Sequence, residues 1–118
     1  MIVKNRAKTT KIKNVKVANS IISKIKGLMF KKKGRLLLKF WFQDYHKIWM
    51  LFMKFPIDLV FIDRNKKIVD IIENIKPITF DIKTWKIYSP KKKCKYILEV
   101  ESGLVKSKKF SIGDQLAF

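Results

Sequence analysis

Apolar residues gather most densely between His46 and Asp63, in the stretch HKIWMLFMKFPIDLVFID. Ile48 to Met53 is unbroken, so in a strand Ile48, Met50 and Phe52 take one face and Trp49, Leu51 and Met53 the other. A strand apolar on both faces needs a cover on both. Lys54-Phe55-Pro56 interrupts the run. Proline cannot donate to a ladder, which places Pro56 at a strand start, bulge or edge. Leu59 to Ile62 resumes a buried-strand pattern. Asp63-Arg64-Asn65-Lys66 then carries turn chemistry, and Ile68 to Ile72 reads as a hairpin partner. The stretch does not read as a membrane span. Such a span needs about 20 apolar residues, and Lys54, Pro56 and Asp58 interrupt this one.

The remaining chain alternates short apolar runs with polar breaks. Ile2-Val3 starts a strand and a polar tract follows from Lys4 to Thr10. Ile12, Val15 and Val17 read as one or two half-exposed strands, with a bulge or tight turn where alternation breaks. Ser20 suits a helix N-cap, and Ile21, Ile25 and Leu28 recur at helical spacing. This predicts one short helix over 20–30, stopped by Lys31-Lys32-Lys33-Gly34. Gly27 inside it calls for close packing. Arg35 to Phe42 is a second buried-strand candidate, followed by a turn at Gln43-Asp44-Tyr45. Ile78 to Phe80, Lys83 to Ser89, Tyr96 to Glu101 and Gln115 to Phe118 complete the strands. In the third of these, Tyr96, Leu98 and Val100 share one face and Ile97, Glu99 and Glu101 the other. Pro90 and the lysines after it form a solvated loop, Ser102-Gly103 ends the strand before a short helical turn at Leu104-Val105, and Gly113-Asp114 is the last turn. Seven or more short strands predict a mainly β, single-domain sandwich or barrel-like fold over 1–118, with one short N-terminal helix.

Composition adjusts this picture at two points. The formal net charge is +19, from 28 basic and 9 acidic residues. Only Arg6, Arg35 and Arg64 are arginine, which leaves 25 lysines. Base readout and bidentate phosphate binding favour arginine, so the charge predicts weak, salt-sensitive attraction to polyanions. No charged segment followed by an apolar core opens the sequence, which predicts a cytoplasmic location.

Candidate chemistry is sparse. Cys94 is the single cysteine and His46 the single histidine. A disulfide within the chain and a thiol or His-rich zinc site are therefore excluded, and no cofactor is expected. Asp58, set among apolar neighbours two residues after Pro56, is the most unusual carboxylate. A buried acid must be paired or hydrogen-bonded, and a structural acceptor is the simplest role for it.

Gly27-Leu28-Met29, Trp49-Met50, Pro56-Ile57-Asp58, Phe61-Ile62-Asp63, Leu98-Glu99-Val100 with Gly103, and Gly113-Asp114 follow one another in an order that resembles the domain of unknown function 192 family. The likeness runs from about Ala18 to Phe118. It implies a compact, mainly β domain without an established activity. In the family pattern an Asn-Thr pair follows one residue after the Trp-Met step, and here those positions are Phe52 and Met53. The functional expectation is a non-enzymatic binding module for an unknown ligand, with a pocket or groove near the Trp49-Met50 and Pro56-Ile57-Asp58 stretch and with Trp49, Met53, Asp58 and Asp114 as ligand-binding candidates. Gly27, Pro56, Asp63, Gly103 and Gly113 are assigned structural roles. The alternatives are a small enzyme with Asp58 or Asp114 as general base, and a basic protein associated with nucleic acid without sequence preference.

Overall fold

The computed structural model describes residues 1–18, 34–46, 48–49, 55–76 and 87–118, with backbone alone at Ala18, Ile48, Trp49 and Ile87. The helix expected over 20–30, with Gly27, lies outside them. So do Met50 to Met53, most of the opening run, and the strand expected at Ile78 to Phe80.

Strands dominate, in the order β1 (Val3–Asn5), β2 (Thr10–Ile12), β3 (Lys16–Ala18), β4 (Leu36–Asp44), β5 (Ile48–Trp49), β6 (Ile57–Ile62), β7 (Ile68–Ile75), β8 (Ile87–Tyr88), β9 (Cys94–Glu101) and β10 (Leu116–Ala117). The helix α1 (Leu104–Ser107) lies between β9 and β10. The described strands form a five-stranded sheet ordered β3-β4-β9-β6-β7, a three-stranded sheet β10-β1-β2 and a ribbon β5-β8. None of these strand orders closes into a barrel.

The central sheet is apolar on both faces because its middle strands are. All six residues of β6 are buried. Val60 and Ile62 point with Leu37, Tyr96, Leu98 and Val100 into a core shared with Val3, Ile12 and Leu116 of the small sheet and Val105 of α1. Leu59 and Phe61 point the other way, with Leu36, Leu38, Ile97 and Cys94. The alternation expected in β9 is therefore observed. Its pattern is double-sided, with Glu99 also buried.

The turns explain the register. After β6, Asp63 Oδ1 accepts the amides of Asn65 (2.9 Å) and Lys67 (3.0 Å), while Lys66 takes φ 63°. This is the hairpin turn expected there, although Lys66 occupies the left-handed position. The tract Lys4 to Thr10 is more ordered than its polarity suggests: Lys4 and Asn5 belong to β1 and Thr10 to β2. Asn5 Oδ1 closes the intervening turn by accepting the amides of Ala7 and Lys8. Pro56 precedes β6 at the strand start, as expected, and its carbonyl accepts the Ser102 amide (3.2 Å). Pro90 is buried, whereas Lys91 to Lys93 are exposed.

One expectation fails. Arg35 to Phe42 reads as a buried strand, but only Leu36, Leu37 and Leu38 are buried. The ladder from β4 to β9 is regular from Leu36 to Lys39 and resumes only where Asp44 meets Cys94. Residues 40–43 thus stand opposite the single residue Lys95. Surplus backbone on one strand must leave the ladder. Trp41 is 88% exposed and Phe42 61%.

Candidate functional site

The two aspartates proposed as candidates from sequence are both occupied by the protein's own donors. Asp58 is fully buried. It lies on β6 opposite a bulge in β7, where the register shifts and Asn74 takes φ 53°. A bulge frees an amide from the ladder, and Asp58 Oδ1 accepts that of Asn74 (2.8 Å). Oδ2 accepts the amides of Gly103 (3.0 Å) and Val105 (3.3 Å). These amides open α1, whose N-cap Gly103 has no side chain to cap it. Asp58 therefore caps the helix from across the fold and satisfies amides that have no helical partner.

Asp114 is also buried. It accepts Asn5 Nδ2 (2.8 Å), Lys8 Nζ (2.9 Å) and the Ser111 amide (3.0 Å). Burial pushes its carboxyl up, but the hydrogen bonds from Asn5, Lys8 and Ser111 outweigh this and hold it below its ordinary value. The two aspartates share no partner. Each ties distant parts of the chain together through its own hydrogen bonds.

Gly103 and Gly113 take φ 92° and 95°, so both sit where glycine is favoured. Cys94 is fully buried, and burial pushes its thiol up to about 11. A thiol so placed is inert at neutral pH. Among the described residues no group of three or more His, Cys, Asp or Glu could hold a metal ion. No helix there is long and apolar enough to cross a membrane.

Of the remaining candidates, Trp49 lies on β5, paired with Ile87 of β8, and Met53 lies outside the described residues. Trp49 follows directly on a feature that sequence reading passed over. Phe40 to Gln43 bulge out of the β4–β9 ladder, and Tyr45 and His46 follow the end of β4, which makes an aromatic segment. The His46 ring stacks on Phe40 with centroids 3.6 Å apart and 12° between planes. It meets Phe42 at 5.2 Å, tilted by 55°. His46 Nε2 lies 2.8 Å from the Phe42 carbonyl oxygen. Gln43 Oε1 accepts the Arg64 amide (2.7 Å), which ties the segment to the β6–β7 turn. Phe40 packs against the core that holds Leu38, Ile97 and Cys94, His46 and Gln43 brace the segment, and Trp41, Phe42 and Tyr45 are left exposed.

Comparison with known proteins agrees with this fold. The model of the DUF192 family, described as Uncharacterized ACR, matches residues 1–118. The chain belongs to this family. A UPF0127 protein of Pyrococcus horikoshii is 36% identical over 86% of this chain and 84% of its own length. Another, from Pyrococcus abyssi, is 32% identical over 98% of this chain and 95% of its own length. Two crystal structures share the fold. One, from Sinorhizobium meliloti and described as "a putative transcription regulator", has a TM-score of 0.83 at 24% identity and covers 98% of this chain and 91% of that one. The second, a protein of unknown function from Novosphingobium aromaticivorans, has a TM-score of 0.84 at 18% identity and covers 99% and 82%. For this DUF192 chain, likeness at those identities speaks for the fold alone.

Proposed function

We propose that this DUF192 protein is a non-enzymatic binding module whose binding surface is the aromatic segment from Phe40 to His46. The observation that carries the reading is Trp41, 88% exposed on backbone forced out of the ladder. Large aromatic side chains left exposed close together on a small domain are a mark of an interaction site. Here the exposed aromatics stand on a supported segment. Trp49, on β5, keeps its place as a candidate.

Asp58 and Asp114 are structural acids in this reading, and the enzyme alternative loses its named bases. A general base must reach a substrate proton, and both carboxylates are buried under backbone and side-chain donors. The small sheet and the central sheet fill one core from opposite sides, which supports a sandwich reading of a single domain.

Backbone amide shifts during titration with a panel of peptides, amphiphiles and polyanions test the proposal. Perturbations gathering at Phe40 to His46 are the expected result. Perturbations centred on Asp58 or Asp114, with turnover of any probe, would refute it.

A further inference from the structure

We infer that the aromatic segment takes single-stranded nucleic acid, its bases stacking on Trp41, Phe42 and Tyr45 and its phosphates lying along the adjoining cations. This rests on the binding-module reading and names the partner class.

Three observations converge. The first is aromatic supply: Trp41, Phe42 and Tyr45 are 88%, 61% and 48% exposed within five residues. Unpaired bases stack on aromatic faces with little regard to sequence. The second is the position of the cations. The Lys95 backbone stands opposite the four residues of the bulge, with its ammonium 5.9 Å from the Tyr96 ring centroid, and exposed Lys39 begins the bulge. The backbone of exposed Arg64 is tied to Gln43 by its amide. Exposed Lys93 precedes Cys94, the partner of Asp44. Asp44 and Asp63 bring two negative charges to the same neighbourhood, where Asp44 Oδ1 accepts the Tyr45 amide and Asp63 Oδ1 holds the hairpin turn, and the four cations outnumber them. The third is the whole-chain charge of +19.

The charge also chooses among occupants. Two copies at +19 each repel one another, which disfavours pairing of this surface with itself. Membrane insertion calls for a continuous apolar tip, whereas Gln43, Asp44 and His46 place polar groups among these rings. Exposed lysines also cover the small sheet, at Lys4, Lys11 and Lys13. Charge alone therefore does not locate a site. The aromatic residues do.

The test is anisotropy of a labelled oligothymidylate of about 15 nucleotides, within the span of known single-strand sites. Trp41→Ala should weaken binding about 5- to 150-fold, the range for loss of one stacked base, with circular dichroism and melting unchanged. Lys95→Gln should weaken it more than Lys4→Gln on the small sheet. With about four phosphates contacted, the logarithm of affinity should fall with log salt at a slope of about −3. Equal binding by Trp41→Ala and wild type would overturn the inference, since attraction would then be charge alone. Preference for a duplex of equal length or for anionic vesicles, or self-association through Trp41, would also overturn it. If the oligonucleotide fails while another probe still shifts the amides of Phe40 to His46, the partner assignment falls and the binding module stands.

Discussion

Asp58→Asn changes one atom and removes one charge at a point where three backbone amides converge. The carboxylate accepts Asn74 N–H at 2.8 Å through one oxygen and Gly103 and Val105 N–H at 3.0 and 3.3 Å through the other. An asparagine keeps one acceptor oxygen. Turned toward Gly103 and Val105, it opposes its own NH2 to the Asn74 amide; turned the other way, it leaves two amides at the head of α1 facing a donor. Either choice leaves at least one amide unmet and weakens charge-assisted bonds, at a cost of about 1–3 kcal/mol. For a chain of this size that is a fall in Tm on the order of 10 °C. Asp58→Ala strands all three amides and should cost about 3–5 kcal/mol, since a side chain removed from a buried polar pairing leaves its partners without acceptors. Urea denaturation followed by circular dichroism measures the loss as a lower midpoint with an unchanged m-value. Hydrogen exchange locates it, with protection falling first at Asn74, Gly103 and Val105. Native stability in both variants would refute the structural role. Native stability with lost ligand binding would return Asp58 to the site.

Asp114 predicts an acid-sensitive latch. Its folded-state pKa lies below the ordinary 3.8, so its contribution is complete above that value and is lost as pH falls through the folded value. Melts between about pH 5 and pH 2 should show a steeper acid decline for wild type than for Asp114→Asn; parallel curves would contradict the assignment. Cys94, with its thiol pushed up to about 11, should resist a thiol reagent at neutral pH and react on unfolding. Rapid native-state labelling would contradict its burial. Gly103→Ala meets no atom within 4 Å, so its cost is purely backbone strain at φ 92°. About 1–2 kcal/mol is expected from thermal melts, and an unperturbed variant would place that turn elsewhere.

Much of the fold was legible because period-2 alternation and turn chemistry are local signals. The β6–β7 hairpin could be read from Leu59 to Ile62 followed by Asp63 and Asn65, and the faces of β9 from Tyr96, Leu98 and Val100. That a buried Asp58 has to be hydrogen-bonded was legible, because a lone carboxylate in an apolar run must be satisfied. Its partners were not, since Gly103 and Val105 lie 45 and 47 residues away and meet it only through the sheet order. The exposed aromatics of β4 were misread for a related reason. Leu36-Leu37-Leu38-Lys39-Phe40-Trp41-Phe42 is one apolar pattern, and nothing local marks where β9 stops pairing with it. The bulge is a property of two strands, visible only once Asp44 is placed opposite Cys94. Excess aromatic content after Lys39, set beside His46, was the available clue.

The central claim is that Trp41 stands exposed on a supported aromatic segment. With Trp49 and Trp85 replaced by Phe, the remaining indoles are reduced to that one residue. Trp41 emission should then lie at the red, water-exposed end of the tryptophan range and be quenched freely by acrylamide, in keeping with its 88% exposure. Blue-shifted emission shielded from the quencher in the folded protein would show that the segment is covered, and would contradict the account.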